Sequence, residues 1–266
     1  MTGRVLIIAG SDSGGGAGIQ ADIKTVTALG GYAMTAVTAI TVQNTLGVTG
    51  VHEIPTDVVA AQIKAVLDDI GADVIKTGML ASVPIIEAVA GALKGRGIPR
   101  VVDPVMRAKG GHALLAEESA AALTTHLVRG ALLITPNLPE AEVLTKRPIR
   151  TVADMEDAVT ALRSLGAYAV LLKGGHLEGD EVVDLLITTD DVIRFADTRI
   201  QTKATHGTGC TLASAIAAGL ADKMPLPQAV ARARAYVRQA MLTAPGLGKG
   251  HGPLNHAHTV APFTSI

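Results

Sequence analysis

Val5-Leu6-Ile7-Ile8-Ala9-Gly10-Ser11-Asp12-Ser13-Gly14-Gly15-Gly16-Ala17-Gly18-Ile19-Gln20-Ala21-Asp22 decides how the rest of the chain is read. The unbroken apolar run from Val5 to Ala9, closed by Gly10, suits a strand buried on both faces. Apolar residues near helical spacing follow from Ala17 to Leu29, and Gly30-Gly31 stops them. Strand, glycine loop and helix make the first unit of an α/β fold. The loop sits at the strand's carboxyl end, where open α/β sheets bind ligands.

The alternation continues outward from there. Strands are expected over Tyr32–Ala39, Thr49–Ile54, Val74–Thr77, Arg100–Val102, Leu132–Thr135 and Tyr168–Lys173, with a hairpin of Val182–Thr188 and Val192–Ala196 around Asp190-Asp191. Helices are expected from Thr56, read as an N-cap, to Asp69, then over Val83–Lys94, Glu118–Val128, Leu138–Leu144, Val152–Leu165, Cys210–Ala221 and Leu226–Ala244. Thr151 with Asp154 reads as a capping box. The pattern predicts a three-layer α/β/α fold with a mostly parallel central sheet, in one domain over residues 1–266.

Composition narrows the function. The 266 residues are 48 % hydrophobic and 18 % charged, enough for a large core. Aromatics are 2 %, Trp is absent and the net charge is -1, so nucleic acid is not an expected partner. The single cysteine, Cys210, excludes a disulfide within the chain and fits a reducing compartment. No stretch approaches the roughly 18 apolar residues of a spanning helix, so the expectation is a cytoplasmic protein with no membrane partner.

Five segments carry candidate chemistry. In the first loop, Gly10 to Gly18, glycines permit close backbone approach to a ligand, and their number favours a ligand loop over a tight turn without one. Gly16 to Ala21 loosely matches a dinucleotide fingerprint, but no acid lies between Asp22 and Glu53 to hold a ribose, which counts against a dehydrogenase. Walker A and protein-kinase signatures are absent. In the second segment, Thr205-His206-Gly207-Thr208-Gly209-Cys210-Thr211 opens a helix. Its backbone N–H groups suit an anion nest, and Cys210 stands where a helix dipole lowers a thiol's pKa. The alternative for Cys210 is a small buried hydrophobe. In the third, Asn137 and Glu140 suit hydrated Mg²⁺ or simply cap their helix. In the fourth, Lys173 before Gly174-Gly175-His176 suits nucleotide phosphates or open solvent. In the fifth, Asp103 could orient a metal, and Arg107, Lys109, Gly110 and Gly111 read as a cationic flap. His251, His256 and His258 read as a solvated tail rather than a metal site.

Taken in order, these segments, with Gln43-Asn44-Thr45 and Lys76-Thr77-Gly78-Met79-Leu80, resemble the hydroxymethylpyrimidine and phosphomethylpyrimidine kinases of thiamine biosynthesis, from about Val5 to Pro253. The resemblance implies a ribokinase-like fold. It implies MgATP-dependent phosphorylation of 4-amino-5-hydroxymethyl-2-methylpyrimidine and then of its monophosphate. It places Gln43 on the pyrimidine and Gly10, Ala17, Asp22, Met79 and Val105 around it. Cys210 would be the base, Gly207, Thr208 and Gly209 the anion hole, and Lys173, Asn137, Glu140 and Asp103 the MgATP site, with Mg²⁺ met through Asp103 and Glu140 mostly by water. A homodimer is an expectation from the fold's relatives. A pyridoxal or pyridoxine kinase of the same fold is the neighbouring reading, and a non-catalytic pyrimidine sensor the more distant one. Gly110 and Ala204 depart from the family's pattern, where serine and asparagine are frequent.

Overall fold

The computed structural model describes residues 2–106 and 117–261. The flap expected around Arg107, Lys109, Gly110 and Gly111 lies outside them. Among the described residues, nine strands form one sheet: β1 (Arg4–Asp12), β2 (Tyr32–Asn44), β3 (Gly47–Glu53), β4 (Val74–Thr77), β5 (Arg100–Val102), β6 (Leu133–Ile134), β7 (Val170–Lys173), β8 (Glu181–Ile187) and β9 (Val192–Thr198). Their order is β3-β2-β1-β4-β5-β6-β7-β8-β9. The pairs from β2 through β1, β4, β5 and β6 to β7 are parallel, and the two margins, β2 with β3 and β7–β8–β9, are antiparallel. The chain leaves β1 for β2 on one side and returns to β4 on the other. A crevice therefore forms at the carboxyl end of β1.

Side chains of β1 alternate between two cores. Leu6 and Ile8 pack beneath α2 (Thr56–Asp69), α3 (Val83–Leu93), α4 (Glu117–Leu123), α5 (Leu138–Thr145), α6 (Val152–Asp157) and α7 (Val159–Arg163). Val5, Ile7 and Ala9 pack beneath α1 (Gly18–Ala28), α8 (Thr208–Ala221) and α9 (Leu226–Leu242). The three-layer expectation is met, and the ribokinase-like class with it. α8 is rich in Ala and other small residues, so it presses close to the sheet, with Thr211 to Gly219 buried without a break. No helix among the described residues is long and apolar enough to cross a membrane.

Several boundaries differ from expectation for local reasons. Thr56 does not cap α2; Pro55 holds the N-cap position and no side chain caps it. The Thr151–Asp154 capping box forms as expected. The expected helix over Val152–Leu165 is broken at Ala158, and the one ending at Val128 finishes in a π turn over Thr124–Val128. β2 runs on to Asn44, because β3 pairs with its second half as an antiparallel ribbon. The ribbon carries Gln43 toward the crevice.

The C-terminal segment is not the solvated tail its composition implied. Pro253 bridges His206, Asn255 caps a short 3-10 turn over His256–Thr259, and His256 is buried beside Thr25 and Tyr236. Burial pulls the His256 imidazole down to about 4, so it is neutral at pH 7. Among the described residues, no group of three or more His, Cys, Asp or Glu converges as a metal site.

Candidate active site

The carboxyl ends of β1, β4, β5, β6 and β7 open into one cavity of ≈ 940 Å³, within the range of small-molecule sites. Gly10, Ala17, Gln43, Met79 and Val105 line one side; Asp103, Asn137, Glu140 and Lys173 line the other; Gly207, Thr208, Gly209 and Cys210 lie on the same wall. The topology thus brings all but one of the expected site residues to a single space.

Asp12 organises the first loop. Its Oδ1 accepts the Gly14 N–H at 2.8 Å, and its Oδ2 accepts those of Gly16 and Ala17 at 3.1 and 2.9 Å. Burial pushes its carboxyl up, but the His206 hydrogen bond and the Ala17 and Gly14 amides hold it below the ordinary carboxylate range. At Gly18 the backbone takes φ 55, and a Cβ there would overlap the Gly10 carbonyl oxygen. Only glycine lets α1 start this close to the strand. Gln43 closes this side: its backbone N–H donates to Ser13 Oγ at 2.9 Å, and its Oε1 accepts from Thr41 Oγ1 at 2.9 Å.

The N-terminus of α8 faces the cavity. Gly207, with φ 82, caps it in the left-handed region, and a Cβ there would overlap the Gly16 carbonyl oxygen. The first backbone N–H groups of a helix have no intrahelical partner and carry its positive end. Cys210 stands in this first turn, but its thiol is not activated at rest. Burial pushes it up to about 12, against the opposing pull of the Lys76 ammonium and the Gly18 N–H. This corrects the expectation of a thiol lowered by the dipole. Desolvation disfavours a thiolate, opposite in sign to the pull of a helix start.

Lys173 Nζ lies 3.2 Å from Asp103 Oδ1, which also accepts from Thr135 Oγ1 at 2.9 Å. Burial alone would lower Lys173; the Asp103 and Glu140 carboxylates raise it, so it stays charged. Glu140 is pushed up to about 7 by burial. Asn137 and Glu140 form a full capping box, each side chain bonded to the other's backbone N–H at 2.9 Å. The capping reading of this pair therefore holds. A Cβ on Gly209 would sit 3.4 Å from Lys173 Nζ, so the cationic group and the α8 loop adjoin.

A family model for phosphomethylpyrimidine kinase matches residues 12–255, nearly the whole chain. The chain belongs to the phosphomethylpyrimidine kinase family. It is 49 % identical over 261 residues to the hydroxymethylpyrimidine/phosphomethylpyrimidine kinase of Rhizobium meliloti, covering 97 % of this chain and 98 % of that one. It is 52 % identical over 255 residues to the thiamine biosynthesis bifunctional protein ThiED of Geobacter sulfurreducens, covering 96 % of this chain and 52 % of that longer protein. Among solved structures, an ADP complex of Bacillus subtilis pyridoxal kinase superposes with a TM-score of 0.89 at 38 % identity, covering 97 % of this chain and 98 % of that one. Activity follows the family: the chain is a phosphotransferase of thiamine biosynthesis, phosphorylating the hydroxymethylpyrimidine and its monophosphate.

One expected site residue is placed elsewhere. Asp22 does not line the cavity. It is fully buried behind it, where its two oxygens take Lys76 Nζ at 2.8 and 3.0 Å and Oδ1 accepts from Ser214 Oγ at 2.7 Å. A buried carboxylate needs a counter-ion, and Lys76 on β4 supplies it. Burial alone would lower Lys76; the carboxylates of Asp22 and Asp103 raise it and keep it charged. Lys76 borders the cavity, as do Thr41, His206 and His251, and motif reading assigned none of them a role. For Lys76 a signal was present: a lysine inside Val74-Ile75-Lys76-Thr77 is a charge in a buried strand, which demands a partner.

Proposed function

We propose that the ring of the pyrimidine lies against Gly10, Ala17, Met79 and Val105 with Gln43 hydrogen-bonded to it, and that MgATP lies across Asn137, Glu140, Asp103 and Lys173. The juxtaposition of Cys210 and the Gly207–Gly209 backbone with both groups in one cavity carries this reading. The ATP assignment is supported by the nucleotide complexes of similar kinases, whose structures hold ADP or AMP-PCP.

The donor set fits Mg²⁺. Asp103 and Glu140 are two carboxylates bordering one cavity that share the Lys173 ammonium, and burial pushes Glu140 up to about 7. Two carboxylates suit an ion that keeps most of its waters and takes further oxygens from phosphates; they do not make an all-protein cage. When bound, the ion screens phosphate charge. Lys173 adds a point charge on the phosphates, and the N–H groups of Thr208 and Gly209 aim at the transferring phosphoryl group.

Cys210 takes the proton from the substrate hydroxyl as the oxygen bonds to phosphorus and the bridging oxygen leaves with ADP. It does so as its thiolate, the minority form near pH 7. Phosphoryl transfer asks mainly for positioning and charge stabilisation.

An ADP-release assay with MgATP tests this, offering hydroxymethylpyrimidine, its monophosphate and pyridoxal separately. Turnover on both pyrimidines with little on pyridoxal is expected. Cys210→Ala should lose about 10²–10⁴-fold in kcat. A Cys210→Ala protein that turns over at the parent rate would overturn the assignment of the base.

A further inference from the structure

His206 is a cavity-bordering side chain to which the reaction above gives no part, and it joins both halves of the site. Its backbone N–H donates to the Gly252 carbonyl at 3.1 Å, so its main chain is held from the C-terminal segment. Its imidazole, 7 % exposed, points the other way, into the glycine loop. Nε2 lies 2.8 Å from Asp12 Oδ2, the oxygen that also gathers the Gly16 and Ala17 amides. A Cβ on Gly16 would run into imidazole Cδ2, and one on the neighbouring Gly207 into the Gly16 carbonyl. The ring is wedged between the loop that lines the substrate side and the loop that opens α8.

Hydrogen accounting gives this wedge a second effect. Asp12 is a buried carboxylate and accepts only, so His206 Nε2 carries the proton and donates it there. That nitrogen is also 3.4 Å from Gln43 Nε2. Its lone pair is committed to the ring once it bears hydrogen, so it cannot accept from Gln43. The Gln43 carbonyl oxygen, meanwhile, lies 2.9 Å from Thr41 Oγ1, whose one hydrogen it shares with the Ser11 carbonyl at 3.0 Å. The amide N–H groups of Gln43 are left for a ligand acceptor such as a ring nitrogen.

We infer that His206 is a positioning residue for the phosphoryl transfer: anchored on Asp12, it sets the spacing between the Gln43 side of the cavity and the Gly207–Gly209 loop, and it reserves the Gln43 amide for an acceptor on the ring. The inference rests on the reading that Gln43 holds the ring and that this loop receives the phosphoryl group. Displacing one reacting partner by about 1 Å costs on the order of 10²-fold.

The test compares His206→Phe, which keeps a ring but no N–H, with His206→Gln, whose amide N–H reaches the place of Nε2–H. His206→Asn, whose shorter amide falls short of Asp12, is a second loss-of-donor variant in case the phenylalanine does not fold. Steady-state kinetics with hydroxymethylpyrimidine and MgATP, and far-ultraviolet circular dichroism melts, are run on each. For Phe and Asn we expect kcat down about 100-fold. The pyrimidine KM should rise about tenfold, the worth of one hydrogen bond, with the MgATP KM within about twofold. His206→Gln should recover kcat to within about fivefold of the parent. Gln43→Ala combined with His206→Phe should raise the pyrimidine KM no further than Gln43→Ala alone, because both act on one contact. Kinetics near the parent's for Phe or Asn would overturn the inference. So would equal impairment of Gln and Phe, which marks packing alone, or KM effects that multiply in the double variant. An unchanged KM in Gln43→Ala would instead sink the reading of Gln43, and the Phe-against-Gln contrast in kcat would still decide the role of His206.

Discussion

Replacing Lys76 by methionine should destabilise this protein more than replacing Lys76 and Asp22 together. Both side chains are 0 % exposed and joined by two hydrogen bonds of 2.8 and 3.0 Å, and Ser214 adds a third to the carboxylate. Removing the ammonium leaves a carboxylate in the interior with one hydroxyl for company. Breaking a buried pair in this way typically costs about 3–5 kcal/mol. Replacing both partners, as Lys76→Met with Asp22→Leu, removes the charges and their desolvation together. What remains is chiefly the orphaned Ser214 hydroxyl, about 1–2 kcal/mol. With an m-value of about 3 kcal/mol per M urea, the single variant should unfold about 1–1.7 M earlier than the parent, and the double variant within about 0.7 M of it. The chain has no Trp, so circular dichroism is the suitable probe. A single variant within about 0.3 M of the parent, or a double variant as unstable as the two singles combined, would refute the account of Asp22 as the counter-ion of Lys76.

Three further predictions follow from named contacts. Gly207→Ala puts a Cβ at φ 82 and into the Gly16 carbonyl, so the α8 loop must move; kcat should fall about 100-fold, and a loss under threefold would contradict the geometry. Cys210 at about 12 is a thiol through neutral pH. Its alkylation by iodoacetamide should therefore climb about tenfold per pH unit from 7 to 10, and a plateau near pH 9 would show an ordinary thiol. His256 sits at about 4 folded against 6.5 unfolded, so the unfolded chain binds the proton first. Stability is complete above about pH 6.5 and falls as pH drops toward 4, by about 3 kcal/mol at most from this residue. Urea midpoints measured between pH 7 and 4.5 should decline less steeply in His256→Leu, and parallel declines would discount the residue.

The order of strands and helices was legible because buried parallel strands are short apolar runs and each crossover helix repeats at 3.6. The first glycine loop and the α8 loop were legible for a related reason. Positions where backbone passes backbone, such as Gly18 against Gly10 and Gly207 against Gly16, admit no Cβ, and that leaves glycine in the sequence. The reach of β2 was not legible, since Thr38 to Gln43 alternates only in the presence of β3. Nor was the C-terminal segment: His251, His256 and His258 in a Gly- and Pro-rich setting resemble a loose tail, and only docking of the segment against Thr25, Tyr236 and His206 buries His256.

Local chemistry by itself determined which residue types stand after each strand, and so which groups are available to the cavity. Only the tertiary structure decided which of them face it. Asp22 turns away to neutralise Lys76, because a charge out of water takes the nearest opposite charge. The Cys210 thiol is pushed up despite its place at a helix start, because desolvation is set by the surrounding fold. The partnership of Asp12 with His206, 194 residues apart, exists only once the sheet has brought the first loop and α8 together.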